Sequence, residues 1–288
     1  MLNKLSAFLM LLALSSCSSY KLAQPELAIR PPATTVTLKR VDNLRSVSGM
    51  VNGQGRSLKD SLIYRSANLH KLKSSRFNDF KNLGITKIID LRTKGEIDKQ
   101  PDNVPPGVTY VNLAAFEDKG DEFNRGRKLV LKGEIDRAAA EKRMLDFYRG
   151  YVTEKPETIK EIIRQILDNN GAVLYHCTAG KDRTGIVTAL VLKVLKFDDS
   201  VIFNDYLYSN NQREDLVYKR LNLAKKAHVV YPKMEVAVLE KLSWIETSYL
   251  KATFDEINLK YGSMDNYIHN VLGISEQQRK YYIEKFTR

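Results

Sequence analysis

The sequence predicts an α/β fold in which a central, mostly parallel sheet is flanked by helices and followed by a helical C-terminal part. Three observations indicate this class. Short runs rich in β-branched residues alternate with segments of helical periodicity. One fully apolar strand is enclosed between two such helical segments. The chain has 288 residues, 43% of them hydrophobic, and is therefore long enough to bury a large core.

The N-terminal half supplies three of the predicted strands. They are Ser61–Ala67, Ile85–Asp90 and Val108–Leu113, each rich in β-branched or aromatic residues. Ser75–Leu83 is predicted to form a short helix, and Gly84 stands where a glycine ends a helix most easily. A strand, a helix and a strand in this order are typical of a parallel sheet.

The strongest periodicity begins at Pro156, which opens a helix with a single apolar stripe. The stripe consists of Ile159, Ile162, Ile163, Ile166 and Leu167. A turn at Asn169–Gly171 ends this helix, and Ala172–His176 follows as a short buried strand. A second helix, from Thr184, is apolar nearly all round and must itself be buried. From about residue 199 onward the pattern is helical.

Composition narrows the class of partner. Lys and Arg number 46 against 34 Asp and Glu, and the net charge of +12 favours anionic partners. Two cysteines exclude a disulfide scaffold, and with four scattered histidines they predict no structural zinc site. We therefore expect no metal and no cofactor, and no nucleic acid as partner.

The first residues predict export. Lys4 precedes a ten-residue, mostly apolar stretch, Leu5–Leu14, which is too short to span a bilayer and is typical of a signal peptide. Leu14-Ser15-Ser16-Cys17 resembles a bacterial lipobox, which predicts cleavage after residue 16 and a lipid on Cys17. The alternative is an ordinary signal peptide with an incidental Cys17. Residues 17–36, which are rich in proline, are then predicted to form a lipidated tether, and residues 37–288 are predicted to form one domain. The lipid would hold the protein in the cell envelope, at the outer membrane or on the periplasmic face.

The segment that carries chemistry is His176–Gly185, HCTAGKDRTG, between the buried strand and the buried helix. Its peptide N–H groups converge at a helix N-terminus, which binds tetrahedral oxyanions. We therefore predict that the loop residues Thr178, Ala179, Gly180 and Lys181 bind substrate. Arg183 closes the loop as a bidentate clamp.

The loop also predicts a nucleophile. The helix dipole and Arg183 favour the thiolate of Cys177 over the thiol, and a thiolate can attack phosphorus. The hydroxyl of Thr184 is placed to hydrogen-bond the sulfur. Lys181 adds a second positive charge beside the bound phosphate.

This segment resembles the C-x5-R signature of cysteine-dependent phosphatases, in the version H-C-x-x-G-K-D-R-T-G of the bacterial tyrosine-phosphatase-like family. Other blocks over residues 40–285 are similar to the same family, namely N-x-R from Asn43, Y-R-S-x-x-L from Tyr64, and L-G-I, D-L-R and Glu96 after Leu83. The resemblance implies a cysteine-phosphatase-like α/β fold and a phosphocysteine intermediate. It also implies activity on phosphotyrosine, phosphoserine or phosphothreonine proteins, phosphoinositides or small phosphomonoesters.

Three candidates stand for the acid that protonates the leaving group. Asp90 ends a strand, where ligands of open α/β sheets bind, and we slightly prefer it. Asp182 lies in the loop, as in myotubularin-like phosphoinositide phosphatases. The third candidate is an acidic segment containing Glu117, Asp118 and Asp121, which would be a mobile lid.

Other interpretations of the same residues are less specific. Arg92 and Glu96 form either an ion pair near the strand end or part of the substrate site. His176 is expected to orient the loop rather than carry protons. The rival function for the whole chain is a phosphate- or phosphoinositide-binding envelope lipoprotein without catalysis.

Overall fold

The computed structural model describes residues 20–29, 36–116 and 122–288. The predicted signal peptide, Cys17 and the acidic segment with Glu117, Asp118 and Asp121 lie outside the described residues. The five strands of the sheet are β1 (Arg45–Ser46), β2 (Ile63–Ser66), β3 (Ile85–Asp90), β4 (Thr109–Asn112) and β5 (Ala172–His176).

The strand order is β1-β2-β5-β3-β4, with every pair parallel except β1 and β2. The last of these strands along the chain, β5, is thus central. Ser66 at the end of β2 and Asp90 at the end of β3 both pair with His176. The carboxyl ends of three parallel strands therefore meet at one edge, where ligands bind in sheets of this kind.

Helices cover both faces of the sheet. They are α1 (Phe77–Lys81), α2 (Lys94–Lys99), α3 (Glu122–Lys132), α4 (Arg137–Thr153), α5 (Pro156–Leu167), α6 (Asp182–Val194), α7 (Asp199–Ala227), α8 (Val236–Ser243), α9 (Thr247–Tyr261), α10 (Met264–Asn266) and α11 (Glu276–Phe286). A short 3-10 turn precedes α1, and a π-helical turn, Tyr267–Val271, follows α10. The mostly parallel α/β sheet and the helical C-terminal part confirm the predicted fold class.

The alternation of side chains along β5 explains how the two layers are held. Val173 and Tyr175 join the large core cluster beneath α5 and α6, which contains the whole predicted stripe of α5. Ala172 and Leu174 join a second cluster with Phe80 of α1 on the opposite face. All these residues are buried, and the strand is apolar from Ala172 to Tyr175 because both of its faces are covered.

The described part of the predicted tether lies against the domain. Residues 20–29 run along α7 and α8, where the N–H of Ala28 donates to Asn211 at 2.9 Å and the N–H of Ala23 donates to Glu240 at 2.8 Å. Asn210 donates to the carbonyl of Glu26 at 2.7 Å. This stretch therefore does not stand off from the protein as the composition of residues 17–36 predicted. Across the described ranges, none of the helices combines the length and apolarity that a membrane span requires.

Candidate active site

The candidate site is built on the loop between β5 and α6. Cys177 follows the last residue of β5, and α6 begins at Asp182, two residues before the position predicted for its start. The loop therefore places Cys177 at the amino end of a buried helix, where unpaired N–H groups and the helix dipole favour an anion.

Side chains behind the loop hold its carbonyl groups. The carbonyl of Gly180 accepts from Asn43 at 2.8 Å and from Arg65 at 2.9 Å. The carbonyl of Ala179 accepts from Arg213 at 3.2 Å. In a planar trans peptide the N–H points opposite to the C=O, so the N–H groups of the next residues point away from these donors. The loop can therefore present its N–H groups to a ligand.

Gly180 is required by both conformation and space. Its φ is +67°, in the left-handed region that glycine adopts without cost. A Cβ at this position would lie 2.3 Å from the carbonyl oxygen of Ser66, which is backbone and cannot move aside. The loop thus crosses the end of β2 at an approach that only glycine permits.

A buried ion cluster supports the donors themselves. Asp205 of α7 accepts from Arg45 at 3.0 Å and from Arg65 at 2.7 Å, and all three side chains are nearly inaccessible. Although burial favours the neutral acid, the charges of the two arginines hold the pKa of Asp205 below its usual value. This cluster connects α7, β1 and β2 to the back of the loop.

Cys177 lies at the base of the loop and is 2% exposed. Burial alone would raise the pKa of its thiol, but the charge of Arg183 and hydrogen bonds from the side chain and N–H of Thr184 outweigh it. The pKa of Cys177 therefore lies below its usual value. Among the described residues the Thr184 hydroxyl is buried without a hydrogen-bond partner of ordinary geometry, so it is available to the sulfur. The structure thus brings Cys177, Arg183 and Thr184 together as predicted.

Arg183 is clamped by Glu96 of α2. Its Nη1 lies 2.6 Å from Oε2 of Glu96 and its Nη2 lies 2.7 Å from Oε1. Burial opposes ionisation of Glu96, yet these bonds lower its pKa to about 2. Thr178 also donates to Glu96, and the guanidinium lies over the ring of Phe116 at 5.2 Å. Glu96 does not use the Nε–H of Arg183, which can donate to a ligand.

Arg92 and Glu96 do not form the ion pair with each other that was one of the two predicted alternatives, because each has a different partner. Arg92 binds Asp90 at 2.7 Å and Asp102 at 2.8 Å, whereas Glu96 binds Arg183. Nothing in the local spacing distinguishes the partners, because Glu96 and Arg183 are 87 positions apart in the chain.

Asp90 occupies a closed environment, which argues against the slight preference for it as the proton donor. Its carboxylate is inaccessible and accepts from the Arg92 side chain and from the Tyr110 hydroxyl at 2.7 Å. Burial opposes ionisation, but His176 and Arg92 lower the pKa of Asp90. A carboxylate that is held ionised and out of reach of solvent is a poor acid.

The surroundings of His176 are consistent with the predicted orienting role, which stays a prediction. Its Nε2 lies 3.0 Å from Asp102, and its Nδ1 lies 3.2 Å from the carbonyl of Cys177. Burial lowers the pKa of His176, but the nearby carboxylates of Asp102 and Asp90 raise it overall. Asp90, Asp102 and His176 would also suit a metal ion by spacing. Arg92 already supplies the positive charge between the two carboxylates, so the cluster does not fit a cation.

Asp182 lies at the first position of α6 and is partly exposed. The Tyr148 hydroxyl donates to its Oδ1 at 2.9 Å. Lys181 is turned away from the expected position beside the phosphate, since its ammonium donates to the carbonyl of Leu242 at 3.0 Å and lies 3.3 Å from Asp182. The role of the Lys181 charge in substrate binding stays a prediction.

A cleft of about 320 Å3 leads away from the loop. Thr178 and Ala179 line its floor, and its walls carry an excess of cationic side chains over Asp42 and Glu96. The cations are Arg40, Lys71, Lys99, Arg213 and Arg220. The sequence does not reveal this wall, because its members come from four separate parts of the chain.

The α/β sheet with an anion-binding loop after its central strand defines a tyrosine-phosphatase-like enzyme. Comparison with known proteins gives the family. The chain belongs to the tyrosine phosphatase family, whose model matches residues 36–288. The matched region begins at residue 36, next to the domain boundary that the sequence placed at residue 37.

Curated relatives agree with this membership. The chain is 30% identical over 246 residues to the triple specificity protein phosphatase PtpB of Mycobacterium tuberculosis, covering 76% of this chain and 88% of the relative. It is 28% identical over 245 residues to a Cupriavidus necator protein provisionally named a tyrosine-protein phosphatase, covering 84% and 86%. The human tyrosine phosphatase-like serine/threonine/tyrosine-interacting protein is 14% identical, with 68% of this chain and 91% of that chain covered and a TM-score of 0.33. A similarity that small has no bearing on function.

Proposed function

We propose that the protein hydrolyses phosphomonoesters with Cys177 as nucleophile, acting on phosphotyrosine in proteins and on other phosphate esters that carry additional negative charge. The observation that carries this proposal is the thiol of Cys177, which lies at a helix N-terminus with Arg183 and Thr184 lowering its pKa. A thiolate is the reactive form of cysteine, and Arg183 is positioned to stabilise charge on the phosphate oxygens.

The proposed reaction has two displacements. The sulfur electron pair attacks phosphorus, an S–P bond forms, and the bond to the leaving oxygen breaks as that oxygen takes a proton from an acid. Water then attacks the phosphocysteine, its proton returns to the same acid, and the S–P bond breaks to release phosphate and thiolate. The Thr184 hydrogen bonds to sulfur lower the cost of that departure.

Asp182 is the acid that the proposal favours. It is partly exposed at the start of α6 and close enough to Cys177 for its charge to act on the thiol. Asp90 lacks the first property, because its carboxylate is inaccessible and bonded to Arg92. The acidic residues 117, 118 and 121 stay as the other candidates.

The cationic wall of the cleft supports the part of the proposal that concerns substrates. Arg40, Lys71 and Arg220 are exposed along the cleft that begins at Thr178. A phosphoinositide headgroup or an acidic phosphopeptide would place its remaining negative charges against them, whereas a simple aryl phosphate would not reach them.

The nucleophile is tested with Cys177→Ser. We expect the variant to fold and to lose turnover of an aryl phosphate, while the wild type, quenched in acid during turnover, carries one phosphate on Cys177. Because the chain has only two cysteines, Cys17→Ser is a matched control that must keep its activity. Turnover by Cys177→Ser, or a stable phosphate complex without hydrolysis by the wild type, would favour the anion-binding lipoprotein.

The acid is tested by comparing Asp182→Asn with Asp90→Asn on aryl phosphates of poor and good leaving groups. Asp182→Asn should slow the poor leaving group by about 10²-fold or more and the good one much less. Asp90→Asn should lower stability without this selectivity. If only Asp90→Asn slows the poor leaving group more than the good one, Asp90 is the proton donor. If neither variant shows this difference, the donor lies in the acidic segment with residues 117, 118 and 121.

The substrate class is tested with Arg220→Ala, which leaves Cys177 and its neighbours unchanged. We expect KM for a phosphoinositide headgroup to rise about five- to tenfold while KM for an aryl phosphate stays constant. An equal change in KM for both substrates would show that the cleft wall does not bind the additional negative charges of the phosphoinositide headgroup.

We also propose that the protein is exported and attached to the cell envelope through a lipid on Cys17. The support is the sequence pattern Leu14-Ser15-Ser16-Cys17 after a short apolar stretch. Cys17→Ala should move the protein from the membrane fraction to the soluble fraction. An unchanged distribution would favour an ordinary signal peptide.

A further inference from the structure

An exposed apolar patch lies at the carboxyl end of α7. It consists of Leu223 on the helix and Val229, Val230 and Tyr231 in the turn that follows. Val229 and Val230 are adjacent and are 70% and 71% exposed. Two aliphatic side chains presented to solvent at a turn have no role in the core, so this surface calls for a partner.

Positive charge predominates around the patch, with Glu235 as the acidic residue that lines the neighbouring cavity. Residues 219–233 contain five Lys or Arg and no Asp or Glu. Lys226 and Lys233 are exposed beside the valines, and Lys225 is half-buried. Exposed apolar side chains among lysines are the composition of surfaces that lie in the headgroup region of a bilayer.

The N-terminal chain arrives at the same place. Tyr20 and Lys21 line one cavity together with Lys225, His228 and Lys233. The Tyr20 hydroxyl donates to Glu240 of α8, which fixes the point at which the chain meets the domain. Nineteen residues precede Tyr20, among them the apolar stretch 5–14. The described part of the chain therefore reaches the domain beside the lysines of the patch.

The turn that carries the valines is held in place. His228 Nδ1 lies 3.0 Å from the carbonyl of Met234, which closes the turn. Met234 is itself buried in a cluster with Val238 of α8 and Val130 of α3. The exposed side chains therefore project from a fixed base, which reduces the entropy lost when they enter another phase.

We propose that this patch rests on the anionic surface of a lipid bilayer, with Val229 and Val230 entering the headgroup boundary and the lysines on the lipid phosphates. Two observations together select a bilayer over a protein partner: the lysines around the apolar side chains, and the arrival of the N-terminal chain at the edge of the patch. The patch adds a membrane-binding surface to the proposed hydrolase, and it orients the catalytic cleft. Arg220 lines both the cleft and the apolar groove beside Leu223, so α7 connects the two.

The test uses the full chain with a tryptophan placed on the patch. Val230→Trp is compared with a matched control, Leu259→Trp, since Leu259 is 82% exposed on α9. The wild type gives the background of the single native Trp244. Vesicles of phosphatidylglycerol and phosphatidylcholine with brominated chains quench tryptophans that enter to a depth of about 5–10 Å. We expect quenching at position 230 at least about twofold stronger than at position 259.

The charge contribution is tested in the Val230→Trp background. Lys225→Glu with Lys226→Glu should weaken binding to anionic vesicles about fivefold or more per lysine. Lys260→Glu with Lys280→Glu has the same net charge and should have little effect, because these lysines lie on α9 and α11. Vesicles of phosphatidylcholine alone should quench the introduced tryptophan weakly.

Four outcomes would overturn the proposal. Equal quenching at positions 230 and 259 would show no oriented contact, and equal quenching on neutral vesicles would remove the role of charge. If the emission of the Val230→Trp variant is already blue-shifted and does not change with vesicles, the patch is covered by the chain's own N-terminal stretch. If Val229→Asp with Val230→Asp turned a dimer into a monomer and left vesicle binding intact, the partner would be a second copy.

Discussion

The ion pair between Glu96 and Arg183 makes a quantitative prediction about both stability and chemistry. Glu96 is half-buried against the loop, and Arg183 lowers its pKa from 4.5 to about 2. A carboxyl displaced to this extent contributes about 3 kcal/mol to folding at neutral pH, as an order of magnitude. Glu96→Gln keeps the shape and one acceptor, so we expect a loss of about 1–3 kcal/mol at pH 7.

The sign of the pH dependence is fixed by the direction of the shift. A depressed pKa gives stability that is present above the unfolded value near 4.5 and is lost as pH falls toward 2. The difference between wild type and Glu96→Gln should therefore be full at pH 7 and shrink as pH falls from about 4.5 to 3. Chemical denaturation at several pH values measures it. Asp98→Asn, which breaks an exposed pair with Lys94 on the same helix, is the control and should change stability by less than about 1 kcal/mol.

The same substitution should change the chemistry in two ways. Without Glu96, substrate must order the guanidinium of Arg183 itself, which costs about 0.5–1.5 kcal/mol and raises KM about two- to tenfold. The positive charge of Arg183 is then less compensated, so the thiolate of Cys177 should form at lower pH. The rate of iodoacetamide alkylation as a function of pH reports this shift. An equal loss of stability at pH 7 and pH 3, together with an unchanged alkylation profile, would refute the reasoning.

Three further predictions concern the support of the loop. Gly180→Ala should lower the melting temperature by several degrees and abolish activity, since its Cβ would lie 2.3 Å from the Ser66 carbonyl oxygen; a stable and active variant would contradict the close approach. Asp205→Asn leaves two buried arginines without their shared carboxylate and should cost about 3–5 kcal/mol in chemical denaturation. The raised pKa of His176 gives stability that is present below pH 6.5 and is lost as pH rises through the folded value. Asp102→Asn should flatten this dependence of the free energy of unfolding on pH. An unchanged dependence in the variant would exclude the pair of His176 and Asp102 as its cause.

The local sequence was sufficient to predict most of the elements that form the site. The predicted strands Ile85–Asp90 and Ala172–His176 have the observed bounds, and the helix from Pro156 buries its whole stripe. These elements can be predicted locally, because burial between the layers of the fold leaves a continuous apolar run in the strands and an apolar stripe in the helix. The helices between residues 122 and 153 were not predicted, since their apolar residues are interspersed with many charged ones.

The pairing of charged residues could not be predicted from the sequence. Asp90 stands at the end of a strand, as a catalytic acid would, yet Arg92 and Tyr110 enclose its carboxylate. Sequence position gives the strand end but not the side chains that later cover it. The N-terminal segment is a similar case, because its prolines indicate an extended chain, and only the asparagines of α7 show that the chain is bound.

Two groups of charged side chains surround the loop, and each supports a different part of it. Arg45, Arg65 and Asp205 compensate one another, and Arg65 also donates to a loop carbonyl, so the cluster fixes the direction of the peptide groups. Arg183 is compensated by Glu96 from the other side, and its charge still reaches Cys177. The charge of Arg183 lowers the pKa of the sulfur, and peptide dipoles that are already oriented add to this effect without reorganisation when the phosphoryl group arrives. On this reasoning, a substitution behind the loop should lower kcat even though it leaves Cys177 and Arg183 in place.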